Sequence, residues 1–139
     1  MEKKARTRPT YPAKALDQIQ SLLPNPASAI TDLAAGTGIM TKMLIERGYT
    51  NVTAVEPAQA MREKLSSLLP NVPSLKGTSW EIPVESQSQE AVIVAQAFHW
   101  FADISSLQEI HRVLKPNGYI ILIWNMESPR SPWVRKLRK

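Results

Sequence analysis

The residue types best suited to chemistry lie in one short segment, DLAAGTG, which spans residues 32–38. Asp32, Ala34, Gly36 and Gly38 stand at every second position of this segment. The two glycines let a backbone turn tightly and approach a ligand with no side chain in the way. A helix that begins after such a turn offers unpaired N–H groups. The segment is therefore a candidate site for a phosphate or a nucleoside.

The spacing of the glycines separates the cofactor classes that such a turn can serve. A nicotinamide dinucleotide site favours G-x-G-x-x-G, whereas residues 36–41 read GTGIMT and lack the third glycine. No glycine of the chain is followed by lysine, which excludes a Walker-type phosphate loop. The pattern found here, Asp32 followed by small residues at alternate positions, differs from both the nicotinamide pattern and the Walker pattern.

A second acid, Glu56, follows Gly38 by 18 residues and ends a strand-like run. A carboxylate at such a strand end accepts hydrogen bonds from both hydroxyls of a ribose. An acid there also disfavours a 2′-phosphorylated nucleotide. The alternative is an acid that only stabilises the N-terminus of the next helix, which Pro57 would open. At the rim of a pocket, Glu56 is expected to lie outside the core.

The elements that must position these residues alternate along the chain. Apolar spacing predicts helices over 12–23, 39–47, 57–69 and 103–114. Asp103 is the predicted cap of the fourth helix. Strands are predicted over 29–34, 51–55, 72–76, 91–97 and 119–124. Residues 115–118 are predicted to form a turn. This alternation predicts an α/β fold with a doubly wound, mostly parallel sheet. In such a sheet the ligand binds at the carboxyl ends of the strands, where the winding reverses.

Composition excludes several kinds of site and partner. The chain has 139 residues, enough for one domain, and no cysteine, so disulfides, thiolate metal sites and a cysteine nucleophile are excluded. With two histidines and no acidic cluster at ligand spacing, we predict no metal site. No segment has the apolar length of a membrane span or of a signal peptide, so we expect a cytoplasmic protein.

The net charge of +5 is concentrated at the two ends of the chain, in residues 3–8 and 135–139. Basic patches of this kind attract nucleic acid or acidic lipid. Neither end lies in a recognisable nucleic-acid reader motif, and no aromatic residue interrupts the N-terminal run. We therefore expect solvated termini and no nucleic-acid partner.

Seven segments, taken together and in order, resemble the class I S-adenosylmethionine-dependent methyltransferases of the small-molecule type. These trans-aconitate methyltransferase-like proteins carry the methyltransferase type 11 domain. The segments are RPTYP, DLAAGTG, AVEP, KGT, AQAFHWF, VLKP and IWN, and they extend over nearly the whole chain. The resemblance implies a Rossmann-like methyltransferase fold and S-adenosyl-L-methionine as the cofactor, with S-adenosyl-L-homocysteine as its product. It also implies a small-molecule acceptor, which is a carboxylate, a hydroxyl or an amine.

The same resemblance implies a role for each matching residue. The 32–38 turn would face the methionine part of the cofactor, Glu56 would hold the ribose, and Pro57 and Met61 would flank the adenine. Relatives often carry an acid where Trp80 stands, so an acidic contact to the adenine edge is not expected from that position. The implied cofactor-binding residues are Arg8, Tyr11, Asp32, Ala34, Gly36, Gly38, Glu56, Pro57, Met61, Thr78, Ser79, Trp80, Ala95, Gln96 and Ala97.

Two residues after the fourth strand are candidates for the acceptor pocket. His99 is the candidate catalytic base, and its alternative role is packing at the strand end. Trp100 would line the pocket or face the sulfonium through a cation–π contact, and its alternative place is the core.

Class I methyltransferases normally add two strands after the fifth. Residues 128–139 instead place Trp133, Val134 and Leu137 at helical spacing. We therefore expect a single domain over residues 1–139, C-terminally incomplete, with five strands present and the last two of the usual seven missing. The bare edge of the fifth strand would favour self-association.

Two alternative functions stay open from the sequence. The first is a cofactor-binding but non-catalytic protein, or a subunit that needs a partner. The second is a nicotinamide-dependent oxidoreductase, against which the missing third glycine argues.

Overall fold

A computed structural model describes residues 11–95, 103–123 and 134–138 of the chain. Helices and strands alternate up to residue 75 as the apolar spacing predicts, and a segment without a helix joins the third strand to the fourth. The elements are α1 (Ala13–Leu22), β1 (Ile30–Leu33), α2 (Ile39–Glu46), β2 (Val52–Val55), α3 (Gln59–Leu68), β3 (Ser74–Leu75), β4 (Gln89–Ala95), α4 (Ile104–Val113), β5 (Leu114–Ile123) and β6 (Val134–Arg138).

The strands form one sheet in the order β3-β2-β1-β4-β5-β6. The first five strands are parallel, and β6 is antiparallel to β5. Because β1 lies between β2 and β4, the chain winds outward first in one direction and then in the other. The predicted doubly wound α/β fold is confirmed. Leu33 pairs with Val55 and Val55 with Leu75, so the carboxyl ends of these strands lie at the same edge.

The central strand β4 shows why both faces of the sheet are covered. Ala91 and Ile93 belong to one apolar cluster, which also contains residues of α1 and α2. Val92 and Val94 belong to a second cluster, which contains residues of α4. All four side chains are fully buried. A continuous apolar run is typical of a strand covered on both faces, because successive side chains point to opposite sides.

The expectation that the edge of β5 lacks a partner strand is wrong, whereas the five parallel strands are as predicted. Val134–Arg138 forms a strand, β6, whose pairing with β5 runs from Tyr119 opposite Arg138 to Ile123 opposite Val134. The edge of β5 is therefore covered by backbone hydrogen bonds, which removes the basis for self-association at this edge. The apolar spacing was misleading because an available sheet edge decides strand formation more strongly than local pattern does.

Two smaller boundaries also differ from the predictions. Residues 115–118 lie within β5 rather than in a separate turn, and the pairing of β4 with β5 shifts register there. Pro57 precedes α3 without opening it, because the N-cap is Ala58. The predicted cap of α4 is confirmed, since Asp103 accepts a hydrogen bond from the backbone N–H of Ser105. Within the described ranges, no helix has the length and apolar character needed to cross a membrane.

Candidate functional site

The turn between β1 and α2 has an unusual backbone. Ala34, Gly36 and Gly38 have φ values of 59°, 62° and 94°, all in the left-handed region. The glycines adopt this conformation at little cost, whereas the Cβ of Ala34 makes it strained. The turn is tied to the neighbouring strand because the N–H of Ala35 donates to the carbonyl of Val55 at 3.0 Å.

The two glycines of the turn serve different purposes. A Cβ added at Gly36 would meet nothing within 4 Å, so this side of the turn is open. A Cβ added at Gly38 would lie 2.8 Å from Cγ of Leu65, a fully buried residue of α3. Gly38 is therefore required by packing, and Gly36 leaves room for the close approach of a ligand.

Glu56 links this turn to the start of α3. Its Oε1 accepts from the N–H of Gly36 at 2.7 Å, and its Oε2 accepts from the N–H of Ala58 at 3.0 Å. The residue is 8% exposed, so the prediction that it lies outside the core is wrong. An ionised carboxylate offers about four acceptor positions, and these two bonds leave further positions for a ligand. Two neighbouring hydroxyl groups fit such an acceptor.

Asp32 lies in β1, just before the turn, and is buried. It is 1% exposed, and its Oδ2 accepts from the Thr41 hydroxyl at 2.5 Å. Burial raises the pKa of Asp32 to about 7. Hydrogen bonds from Thr41 oppose this rise in pKa, and the charge of Glu56 adds to it. Thr41 was not identified from the sequence, where its only signal is a hydroxyl residue in the first turn of α2.

Stability should therefore depend on pH through Asp32. Between pH 3.8 and about 7 the folded protein retains a proton on Asp32 that the unfolded chain releases. The free energy of unfolding then falls as pH rises, by at most about 1.4 kcal/mol per pH unit. We expect Asp32→Asn, which resembles the protonated acid, to match the parent near pH 4 and to be more stable by at least ~1 kcal/mol at pH 8.

Urea denaturation of both proteins at pH 4, 6 and 8 measures this difference. The matched control is Asp17→Asn, which alters an aspartate whose side chain is 68% exposed and pairs with Arg47 at the surface, so it should change the stability at pH 8 by less than Asp32→Asn does. Parallel pH profiles of the parent and Asp32→Asn would contradict the prediction.

The polar groups of the segment after β3 bond to one another and to residues of α4 and its cap. The hydroxyl of Thr78 accepts from the N–H groups of Trp80 and Glu81, both at 3.1 Å. The hydroxyls of Ser79 and Ser106 are 2.6 Å apart. The indole N–H of Trp80 donates to Oδ2 of Asp103 at 2.5 Å, and this bond lowers the pKa of Asp103.

A cleft of about 440 Å³ lies beside this segment. It is lined by residues from the ends of β2 and β3, from the loop that follows β3, and from α4: Pro57, Lys76, Gly77, Thr78, Glu81, Ile82, Pro83 and Arg112. Two of these residues, Pro57 and Thr78, are in the predicted cofactor-binding set. The cleft therefore lies beside the ends of β2 and β3, and none of its lining residues belongs to the 34–38 turn.

The other predicted residues are distributed differently. Met61 is 43% exposed on α3, and Ala95 is half-buried at the end of β4. Tyr11 is buried in the apolar cluster that contains residues of α1. The remaining predicted residues, Arg8, Gln96, Ala97, His99 and Trp100, lie outside the described residues. Among the residues that are described, no group of three or more acids or histidines is arranged to hold a metal ion.

A doubly wound sheet with a glycine turn and an acid at the next strand end is a nucleoside-cofactor-binding domain. Residues 31–122 match the family model described as a methyltransferase domain. An uncharacterized methyltransferase of Mycobacterium tuberculosis is 45% identical over 132 residues, which are 95% of this chain and 53% of the relative. The chain belongs to the methyltransferase domain family. It spans about half the length of these curated relatives.

Solved structures share the same fold. A candidate S-adenosyl-L-methionine-dependent methyltransferase from Methanococcus maripaludis superposes with a TM-score of 0.72 at 20% identity, over 83% of this chain and 55% of that chain. A SAM-dependent methyltransferase from Thermotoga maritima has a TM-score of 0.63 at 26% identity, over 78% and 49%. Membership of this family implies S-adenosylmethionine as the cofactor.

Proposed function

We propose that this chain binds S-adenosylmethionine at the carboxyl ends of β1 to β4 and forms part of an enzyme that methylates a small molecule. The observation that carries this proposal is the position of Glu56. Its carboxylate is held by the N–H groups of Gly36 and Ala58 and keeps acceptor positions for a pair of ribose hydroxyls. The open side of Gly36 leaves space for the cofactor beside that carboxylate.

The remaining contacts follow from the same placement. The 34–38 turn would lie against the methionine part, and the cleft between Pro57 and Thr78 would take the adenine. When bound, S-adenosylmethionine supplies a methyl group on a sulfonium that is already activated for displacement. The chain therefore has mainly to hold donor and acceptor in line, which lowers barriers by up to about 7–11 kcal/mol in well-oriented systems.

The acceptor is proposed as a carboxylate, a hydroxyl or an amine of a small molecule. His99 is the proposed base and Trp100 a proposed wall of the acceptor pocket. Arg8, Gln96 and Ala97 are proposed to complete the cofactor site. A methyl-transfer assay on a panel of small acids, alcohols and amines, with His99→Ala beside the parent, tests these roles.

Ligand-induced stabilisation tests the cofactor assignment. A ligand at about 100 times its Kd stabilises the folded state by about 2.7 kcal/mol, which a melting experiment detects as a higher Tm. We expect S-adenosylhomocysteine to raise the Tm and NADH to leave it unchanged. A shift with NADH and none with S-adenosylhomocysteine would show an oxidoreductase-type site instead.

A further inference from the structure

The loop between β2 and α3 carries Glu56, and a side chain of α3 holds the backbone of this loop. Arg62 lies near the start of α3, and its Nη1 donates to two carbonyl oxygens. One belongs to Glu56, at 3.0 Å, and the other to Pro57, at 2.9 Å. A single nitrogen therefore bridges two successive peptide groups of the loop.

These two bonds restrict the dihedral angles of the loop. Because the peptide group is planar, the ψ angle of a residue sets the direction of its carbonyl oxygen. The bonds from Arg62 therefore restrict ψ at positions 56 and 57, and the pyrrolidine ring fixes the φ of Pro57 at about −65°. The backbone path from Glu56 to the N-cap Ala58 is thus determined, and Arg62 determines the part that proline leaves open.

The path of this loop decides where the carboxylate of Glu56 is held. Its Oε2 accepts from the N–H of Ala58, and the direction of that N–H is set by ψ at position 57. The backbone N–H of Glu56 donates to the carbonyl of Leu75 at 3.0 Å, so the other end of the residue is fixed by the sheet. Arg62 thus acts on the carboxylate through the backbone. The N-cap of α3 has no side-chain hydrogen bond that could do the same.

We propose that Arg62 is a positioning residue for Glu56, which holds the β2–α3 loop in the conformation that presents the carboxylate to a pair of ribose hydroxyls. The inference rests on the proposed cofactor site. Without the donor at position 62, the loop has to be ordered when the ligand binds, and that ordering lowers the affinity. Since one nitrogen makes both bonds, a lysine ammonium, which has three N–H donors, can replace the guanidinium.

Three variants separate the donor from the charge and from the length of the side chain. Arg62→Lys keeps a cationic donor, whereas Arg62→Met keeps an unbranched side chain that has no N–H group. Lys64→Met is the matched control, because it removes a positive charge from an exposed position on the same helix. Circular dichroism and urea denaturation identify the conditions in which each variant is folded.

The measured quantity is the preference for adenosine over 2′,3′-dideoxyadenosine, which lacks both ribose hydroxyls, followed by NMR titration. In the parent this preference should be roughly tenfold to a hundredfold, since it reports hydrogen bonds to a charged carboxylate. Arg62→Met should lower the preference by about fivefold, whereas Arg62→Lys and Lys64→Met should retain it. A general structural defect would weaken the binding of both nucleosides by the same factor and leave the preference unchanged.

The outcomes distinguish this inference from the proposed function. If the parent shows no preference for adenosine, ribose recognition by Glu56 fails, and the role of Arg62 fails with it. If the parent prefers adenosine and folded Arg62→Met keeps the full preference, only the role of Arg62 is overturned. A loss of preference in Arg62→Lys as large as that in Arg62→Met would overturn the role of the shared donor.

Discussion

Glu56→Ala is expected to weaken the binding of S-adenosylhomocysteine by roughly tenfold to a hundredfold, because hydrogen bonds to a charged group contribute about 1.5–3 kcal/mol. The same substitution leaves the N–H groups of Gly36 and Ala58 without their acceptor. The free energy of unfolding should therefore also fall, by about 1–3 kcal/mol. Calorimetry well below the Tm of the variant measures affinity, and urea denaturation measures stability.

Two controls distinguish ligand contact from the structural role of Glu56. Glu56→Gln keeps the shape of the side chain and one acceptor oxygen, so it should retain more stability than the alanine variant while still losing affinity. Glu63→Ala removes an acid from an exposed position on α3 and should change neither quantity. An unchanged affinity in folded Glu56→Ala would leave Glu56 with a structural role alone.

Gly38→Ala is expected to cause the largest loss of stability among the substitutions in the turn. The new Cβ would lie 2.8 Å and 3.1 Å from two carbons of Leu65, which is fully buried and cannot move aside. The residue would also hold a φ of 94°, which disfavours any side chain. Overpacking and left-handed backbone strain together should lower the free energy of unfolding by about 2–4 kcal/mol.

Gly36→Ala is the matched variant for this prediction. Its φ of 62° is also left-handed, but the added methyl would meet nothing within 4 Å. It should cost only the backbone strain, about 1–2 kcal/mol, while the methyl group occupies the open side of the turn and weakens cofactor binding. Urea denaturation and calorimetry on both variants give the comparison. Equal stability of the two variants would show that Leu65 does not determine the need for Gly38.

The fold could be predicted because its signals are local and strong. The apolar run that begins at Ala91 and the cap at Asp103 each identify an element without reference to the rest of the chain. β6 could not be predicted in this way, since Val134–Arg138 becomes a strand by pairing with an edge that a distant segment provides. β3, with two residues, owes its existence to its pairing with β2.

The candidate site was predictable in residue type but not in orientation. The spacing of Asp32, the glycines and Glu56 identified the turn, yet it did not show which of these groups are open to a ligand. The hydrogen bond that Asp32 accepts comes from Thr41, and the constraint on Gly38 depends on Leu65. These partners lie on other elements, so their contacts become visible only when the elements are packed. The side-chain hydrogen bonds from α4 to residues 79–86 had a signal, the spacing of polar residues from Asp103 to Arg112, but the apolar stripe of the same helix dominated the pattern.

The position of β1 between β2 and β4 has a consequence for the order of folding. Ile30 pairs with Val52 nearby in the chain, whereas Ala29 bonds to the backbone N–H and to the carboxylate of Glu90, which is 61 residues away. Closing so long a loop is entropically costly and slow compared with local pairing. We therefore expect the first three strands to pair with one another before β4 pairs with β1. Because the proposed cofactor site includes the end of β4, we expect its completion to require this long-range pairing between β1 and β4.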